Sequence, residues 1–294
     1  MTFSIVACDR DTAEWAVAVA SKFLGVGGIV PYAAPGVGAV AVQALPGPHF
    51  GTRAIQLLGN RHSPDDVLDA LLRHDRHRDV RQIGIVNAQG QAATYTGQAC
   101  DDWAGGIIGT GYAAQGNILA GPDVVGAMHE SFVAGSGPLA ERLLDALTAG
   151  QSAGGDRRGQ QGAALYVVRA DAGYMGSSDV LVDLRVDDSS TPIDELCRLL
   201  ATHRLLFSRP KPEDFLPIDD TLLRELRSIL THTGDLAAEH TGAVYDDAMR
   251  AALRYRFGCE NLEERWSDEA MIDRGALAYL GERFATSTTE AGSA

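Results

Sequence analysis

The chain has 294 residues, of which 45% are hydrophobic and 22% charged, so it can bury one large core or a medium and a small one. Its net charge of −14, without any dense run of lysine and arginine, would repel a phosphate backbone and excludes nucleic acid as an expected partner. The four cysteines are far apart and form no C-x-x-C pair, which predicts reduced thiols rather than a zinc cluster or a disulfide framework.

The sequence also argues against a membrane protein. No stretch approaches the ~18 apolar residues of a membrane span, and the first residues lack the basic region and apolar run of a secretory signal. We therefore expect a cytoplasmic protein without a membrane partner. The eight histidines show no ligand spacing, and the sequence indicates neither a metal nor a cofactor.

The first hundred residues predict strands interrupted by one helix. Two β-rich runs, 2–9 and 14–21, are separated by RDTA, which indicates a hairpin. Residues 25–44 supply two more strands with Gly and Pro at their turns. The run SPDDVLDALLRHD has Ser63 as a cap and Pro64 at the first helical position, which predicts a helix.

The middle of the chain continues the same pattern. Residues 81–97 predict a second hairpin, 122–155 a pair of helices broken near Gly135, and 160–188 a return to strands. Runs of strands with helices gathered between them are typical of an α+β fold rather than an alternating parallel sheet. The Gly-rich GVGGIV lacks the G-x-G-x-x-G spacing and predicts a tight turn, not a nucleotide loop.

Several segments in chain order carry a resemblance to a known family. They include TFSIVACD, VAVASKFLGVGGIVPYA, QGNILAG and AGGDRRG, within residues 2–205. The chain resembles the bacterial family called domain of unknown function 1028, which looks like a member of the N-terminal nucleophile hydrolase superfamily. The resemblance implies a four-layer αββα fold and no known substrate.

The same resemblance implies a role for Thr2. In N-terminal nucleophile enzymes the first mature side chain attacks an amide carbonyl and its own amine takes the proton. Thr2 would become that residue once Met1 is removed, and an α-amino group with a reference pKa of about 7.7–8.0 suits a general base. The alternative is that Thr2 only begins an edge strand, which a β-branched residue does well.

Three further residues are catalytic candidates, each with a structural alternative. Ser21, followed by Lys22, ends the second strand, where it could orient the nucleophile's amine or form an ordinary turn. Gln43 could donate to an oxyanion or simply end a strand. Asn117 lies in a Gly-flanked segment that we expect to be a loop, where its amide could supply an oxyanion donor or form a turn.

The strongest polar cluster is GGDRRGQQG. Asp156, Arg157 and Arg158 lie between two glycine groups and could present a guanidinium to a substrate carboxylate, or form a salt bridge that closes the connection. Members of the family resembled often have a hydroxyl residue where this chain has Gly162, so a catalytic role is not carried over to that position.

The character of the sequence changes beyond residue 208. We expect a domain at 1–208, a proline-rich linker at 209–218, a small helical domain at 219–285 and a disordered tail at 286–294. Three helices are predicted in the helical domain, the third over 268–284. The segment beginning GAVYDDAMRAALRYRFG resembles a small peptidoglycan-binding-like domain. Glycan binding requires export, for which the N-terminus leaves no room, so we expect a packing or dimerisation module instead.

Three functional hypotheses follow from these observations. The first is an amide-bond hydrolase that uses Thr2 on a small amide or ureido substrate bearing a carboxylate. The second is a small-ligand-binding protein that keeps the fold without turnover. The third is an assembly subunit whose C-terminal helices set a homo-oligomeric state.

Overall fold

The computed structural model describes residues 2–284, and the chain divides into two compact units, Met1–Leu200 and Ala201–Ala294. Helix α5 (Pro192–Phe207) contains this boundary. Met1, and with it the question of its removal, lies outside the described residues, as does the tail expected at 286–294. No helix among the described residues combines the length and apolar composition that crossing a membrane requires.

Ten strands of the first unit form two antiparallel sheets. The larger sheet has the order β10-β9-β2-β1-β8-β7 and the smaller one the order β3-β4-β5-β6. The strands of the larger sheet are β1 (Thr2–Asp9), β2 (Glu14–Ser21), β7 (Gly105–Gly109), β8 (Tyr112–Asn117), β9 (Gly162–Val168) and β10 (Val180–Val186). Those of the smaller sheet are β3 (Pro31–Ala34), β4 (Gly38–Ala44), β5 (Arg81–Asn87) and β6 (Ala92–Thr96).

Helices cover the outer face of each sheet. The larger sheet is covered by α3 (Asp123–Ala134), α4 (Leu139–Ser152) and the first part of α5, and the smaller by α1 (Pro48–Gly59) and α2 (Pro64–Leu72). This arrangement confirms the α+β class and the four-layer αββα sandwich. The expected helix cap is also present, since the Ser63 side chain accepts a hydrogen bond from the Asp66 amide at the start of α2.

The alternation of side chains along β1 explains why the layers pack as they do. Phe3 and Ile5 point to the core beneath α3 and α4, whereas Val6 points to the core between the two sheets. Both faces of the strand are buried, so the inter-sheet space must be filled by side chains from both sheets. That space contains the candidate site.

The second unit is a small helical domain. Its helices are α6 (Asp220–His232), α7 (Asp247–Cys259) and α8 (Arg274–Phe284), and they enclose a separate apolar core that includes Leu226, Leu253 and Leu280. The helix predicted over 268–284 begins only at Arg274, because residues 271–273 form a strand. This strand, β12 (Met271–Asp273), pairs with β11 (Phe215–Pro217), which lies within the segment expected as a linker.

Because each unit has its own apolar core, we predict that residues 1–208 fold without the C-terminal helices. The truncated chain should be soluble and should unfold in one cooperative transition when followed by circular dichroism. Insoluble protein, or a chain without a cooperative transition, would contradict this prediction.

Candidate functional site

Seven buried polar side chains meet at one end of the inter-sheet space, and we call them the Thr2 cluster. All are at most 5% exposed: Thr2, Ser4, Ser21, Gln43, Gln82, Gln115 and Asn117. Elsewhere the inter-sheet space is filled by apolar residues such as Val17, Val19 and Ala41. The strands thus change from apolar to polar on their inward faces as they approach this end of the sandwich.

The cluster is built from cross-strand neighbours. In the larger sheet Thr2 lies opposite Asn117 and Ser4 opposite Gln115, both in the β1–β8 pair. In the smaller sheet Gln43 lies opposite Gln82 in the β4–β5 pair. Paired residues on one face of antiparallel strands have neighbouring side chains, so the register itself brings these groups together.

Hydrogen bonds between the Gln43 amide and β1 join the two sheets. The Ser4 hydroxyl donates to Oε1 of Gln43 at 2.7 Å and accepts from Nε2 of Gln115 at 2.7 Å. Nε2 of Gln43 donates to the Thr2 carbonyl at 3.2 Å and to Oε1 of Gln82 at 2.8 Å. The two hydrogens of that Gln43 amide are therefore both in use.

A second bridge runs from Gln82 to β8. Oε1 of Gln82 accepts from Nδ2 of Asn117 at 2.8 Å, and Nε2 of Gln82 donates to the Gly116 carbonyl at 2.7 Å. The Asn117 side chain is thereby fixed beside the start of β1. Asn117 is the last residue of β8, so the prediction that it lies in a loop is wrong.

The Thr2 hydroxyl has a defined orientation. Its oxygen lies 3.2 Å from the Ser21 hydroxyl, in a hydrogen bond between neighbouring strand ends. None of the seven side chains of the Thr2 cluster is titratable. A proton leaving the Thr2 hydroxyl would therefore need an acceptor other than these side chains.

Cysteine does not offer a competing nucleophile in the first unit. Burial raises the pKa of the Cys8 thiol to about 11 and also raises the pKa of Cys100 and of Cys197. These three thiols therefore stay protonated near neutral pH, and the thiolate is the reactive form. Within residues 2–284, no group of three or more His, Cys, Asp or Glu side chains is placed to hold a metal ion.

Two residues directly beyond the cluster have left-handed backbone. Ala44 follows Gln43 with φ of 67°, and Ile118 follows Asn117 with φ of 52°. A residue with a Cβ pays for this conformation with about 1–2 kcal/mol, and a β-branched residue rarely adopts it. The chain therefore turns sharply at both places, immediately after an amide side chain of the cluster.

The loop 154–161 is attached to residues next to the cluster. Oδ2 of Asp156 accepts from the Lys22 amide at 2.8 Å, one residue beyond Ser21. The Arg157 amide donates to the Ile118 carbonyl at 3.2 Å, one residue beyond Asn117. Asp156 and its neighbours thus lie at the same end of the sandwich as Thr2.

The two arginines of this loop have different surroundings. Arg158 forms a forked ion pair with the buried Asp156, through Nη2 at 2.9 Å and Nε at 3.1 Å. The Arg157 side chain is exposed and forms no ion pair with the described part of the chain. The geometry of Arg158 is that of a structural salt bridge, whereas Arg157 presents its guanidinium to solvent.

The sequence interpretation missed three members of the cluster, namely Ser4, Gln82 and Gln115. Each was detectable as a polar residue at an inward position of a strand whose other inward residues are apolar. Recognising them required knowing which face of each strand points between the sheets, which depends on the pairing of the strands.

The helical unit has a cleft of about 890 Å³ bordered by α7. Arg256, which lines it, forms ion pairs with Asp235 at 2.7 Å and Glu260 at 3.4 Å. Arg283 also pairs with Glu260, at 3.1 Å, so two arginines balance two carboxylates and give no indication of a particular charged ligand.

The fold and the Thr2 cluster define the first unit as a four-layer sandwich with a threonine hydroxyl held between its sheets at one end. The chain belongs to the family of unknown function DUF1028, whose model matches residues 2–196. A second family model, described as "Putative peptidoglycan binding domain", matches residues 206–280.

A solved structure supports the same assignment. The chain is similar to the crystal structure of protein SPO2555 from Silicibacter pomeroyi, which is also assigned to DUF1028. The two share 33% sequence identity with a TM-score of 0.64, over 69% of this chain and 86% of that chain. No curated protein matches the chain.

Gly84 makes room for the cluster and provides a test of its rigidity. A Cβ at Gly84 would lie 2.1 Å from Oε1 of Gln115, between the sheets. We predict that Gly84→Ala lowers the free energy of unfolding by about 2–3 kcal/mol in urea denaturation, because the buried Gln115 side chain must move.

Gly126 provides the matched control. It lies inside α3, where a Cβ would meet no atom within 4 Å, so Gly126→Ala should stabilise the protein by about 0.5–1 kcal/mol. Equal effects of the two substitutions would show that the space beside Gln115 is not tightly packed.

Proposed function

We propose that the chain is an amide-bond hydrolase of the N-terminal nucleophile type, with Thr2 as nucleophile after removal of Met1. The observation that supports this proposal is the Thr2 hydroxyl, held 3.2 Å from Ser21 at the head of β1 in a buried cluster of neutral side chains. The proposed substrate is a small amide or ureido compound that bears a carboxylate.

The proposed mechanism takes the base from the nucleophile itself. Once Thr2 is the first residue, its α-amine accepts the hydroxyl proton, and Oγ1 attacks the amide carbonyl carbon. The amide C–N bond then breaks, and the departing nitrogen takes that proton. Water hydrolyses the resulting ester and regenerates Thr2. Ser21 holds Oγ1 in place throughout.

The amide side chains have different proposed roles. One hydrogen of the Asn117 amide is donated to Gln82, and the other is proposed to stabilise the oxyanion, a contribution of about 3 kcal/mol to the barrier in comparable sites. Gln43 already donates both hydrogens, one of them to the Thr2 carbonyl. We therefore propose Gln43 as a positioning residue for Thr2.

The alternative is a protein that keeps the fold and binds a small ligand without turnover. The low exposure of Thr2, 5%, favours this alternative, since an attacking hydroxyl must reach its substrate. Mass spectrometry of the intact protein separates the two. A chain that begins at Thr2 supports the hydrolase, whereas retained Met1 leaves Thr2 without a free amine and supports the binding protein.

Thr2 substitutions test the mechanism directly. Thr2→Ala should abolish amide hydrolysis, because the nucleophile is gone, while loss of the hydrogen bond to Ser21 lowers the melting temperature by only a few degrees. Thr2→Ser should keep part of the activity, since the hydroxyl remains. The measurement is turnover of a panel of small amides, ureido acids and N-acyl amino acids.

A form with an acetylated N-terminus completes this set. Acetylation leaves the hydroxyl intact but removes the basicity of the amine, so it should be as damaging as Thr2→Ala. Undiminished turnover by Thr2→Ala or by the acetylated protein would contradict the mechanism.

The two arginines should respond differently to removal. Arg157→Ala should weaken binding of carboxylate ligands, with the stability almost unchanged, because its side chain is exposed. Arg158→Ala should lower the free energy of unfolding by about 2 kcal/mol, because the buried Asp156 carboxylate loses its cationic partner and keeps backbone amide donors such as that of Lys22. Calorimetric titration and urea denaturation of both variants give the comparison. A stability loss in Arg157→Ala without any effect on binding would contradict the proposed role.

A further inference from the structure

Exposed apolar side chains are concentrated at the end of the sandwich that carries Thr2. Eleven large hydrophobic side chains are exposed among the described residues, and four of them lie in loops at this end. They are Phe23 and Leu24 after β2, Leu45 after β4 and Val80 before β5, with exposed fractions of 49%, 63%, 38% and 36%. We call these four residues the apolar rim.

In each sheet the rim lies only a few residues along the chain from a cluster residue that contacts Thr2. Phe23 is two residues beyond Ser21, whose hydroxyl contacts that of Thr2, and Leu45 is two residues beyond Gln43, whose amide contacts the Thr2 carbonyl. Consecutive Cα atoms are about 3.8 Å apart, so the Cα atoms of Phe23 and Leu45 lie within about 7.6 Å of those of Ser21 and Gln43. Leu24 is one residue further along the chain. The Leu45 amide donates to the Val80 carbonyl at 2.9 Å, which holds those two together.

Cationic side chains lie at the same end. Lys22 separates Ser21 from Phe23, and its Nζ donates to the Gln160 carbonyl at 3.1 Å. The exposed Arg157 is attached through its backbone beside Asn117. A ligand at Thr2 would therefore meet apolar surface at the β2 and β4 ends and an exposed guanidinium at the β8 end.

We propose that the substrate is an N-acyl amino acid whose acyl chain packs on the apolar rim and whose carboxylate meets Arg157. This inference rests on the proposed attack by Thr2. The scissile amide joins the apolar and the anionic halves of such a compound, so placing one half on each side brings its carbonyl to the Thr2 hydroxyl. Hydrolysis would form an ester between Oγ1 and the acyl group, release the amino acid, and then release the fatty acid by addition of water.

The test is binding rather than turnover. Thr2→Ala is titrated calorimetrically with N-acetyl-, N-butanoyl-, N-hexanoyl- and N-octanoylglycine. The affinity should rise about two- to fourfold per added methylene, as apolar burial predicts. In Thr2→Ala combined with Phe23→Ser and Leu24→Ser, the affinity should lose most of this dependence on chain length.

Val133 provides the matched control, since it is 60% exposed on the helix α3 and does not belong to the rim. Thr2→Ala with Val133→Ser should keep the full dependence on chain length. Affinity independent of chain length, or a dependence that survives the Phe23 and Leu24 substitutions, would overturn the inference.

Two further outcomes separate this inference from the proposed function. Chain-length-dependent binding together with no turnover by protein that begins at Thr2 would support the rim as the acyl site and refute the hydrolase. A dimer that dissociates in the Phe23→Ser and Leu24→Ser variant, detected by analytical ultracentrifugation, with no chain-length effect, would show that the rim binds a second copy and would overturn the inference.

Discussion

The two hydrogen bonds donated by the Gln43 amide are the interaction on which the candidate site depends. The bond to the Thr2 carbonyl joins the two sheets, and the bond to Gln82 fixes the Gln43 amide against its own neighbouring strand. Water does not compete for these bonds, since Gln43, Gln82 and Asn117 are all at most 2% exposed. Leaving a buried amide group without a hydrogen-bond partner would lower the stability of the fold by about 1–3 kcal/mol. This cost keeps each side chain of the network hydrogen-bonded to its neighbour. The position of Thr2 is therefore set by the spacing of the sheets as well as by its own strand.

The neutrality of the network determines what chemistry it can support. The charged groups at this end of the sandwich lie outside the network: Asp156 is paired with Arg158, Arg157 meets solvent, and Arg81 at the start of β5 is paired with Asp75. A hydroxyl among neutral amides can be oriented by them but cannot be deprotonated by them. A nucleophile at the chain terminus would meet this constraint, because its own α-amine supplies the base.

The sequence pattern was sufficient to predict the α+β class and many of the elements, because hairpin turns and helix caps are local signals. The four layers were implied by the family resemblance. The pattern was not sufficient for α1, whose segment begins with prolines and glycines that indicate a loop, although Ala54, Leu57 and Leu58 follow helical spacing in the core. Asn117 was misplaced for a similar reason. The neighbouring Gly116 indicates a turn, but in the structure it leaves room for Leu119, since a Cβ there would lie 2.5 Å from that side chain.

The candidate site could be predicted only in part. Thr2, Ser21, Gln43 and Asn117 end or begin strands and could be identified one at a time, but their convergence depends on the sheet order and the register. Ser4 and Gln115 lie one inward position deeper and became recognisable only when β1 was paired with β8. Long-range pairing is the information that local periodicity does not contain.

The backbone at Ala44 and Ile118 bears on whether the network merely fastens the sheets together. Hydrogen bonds that only held the two sheets together would not require a change of backbone direction, and the strands could continue past Gln43 and Asn117 in extended conformation. Instead both chains turn away at once through left-handed residues, at a cost of about 1–2 kcal/mol each that the surrounding contacts must offset. The turn at Ile118 directs its amide to Asp101 and its carbonyl to Arg157, and so brings the loop with the exposed guanidinium beside Asn117. Five other residues with a Cβ have left-handed backbone elsewhere in the described chain, so this strain does not by itself mark a site. Its effect at Ile118 is structural, since it fixes the Arg157 loop to the end of β8.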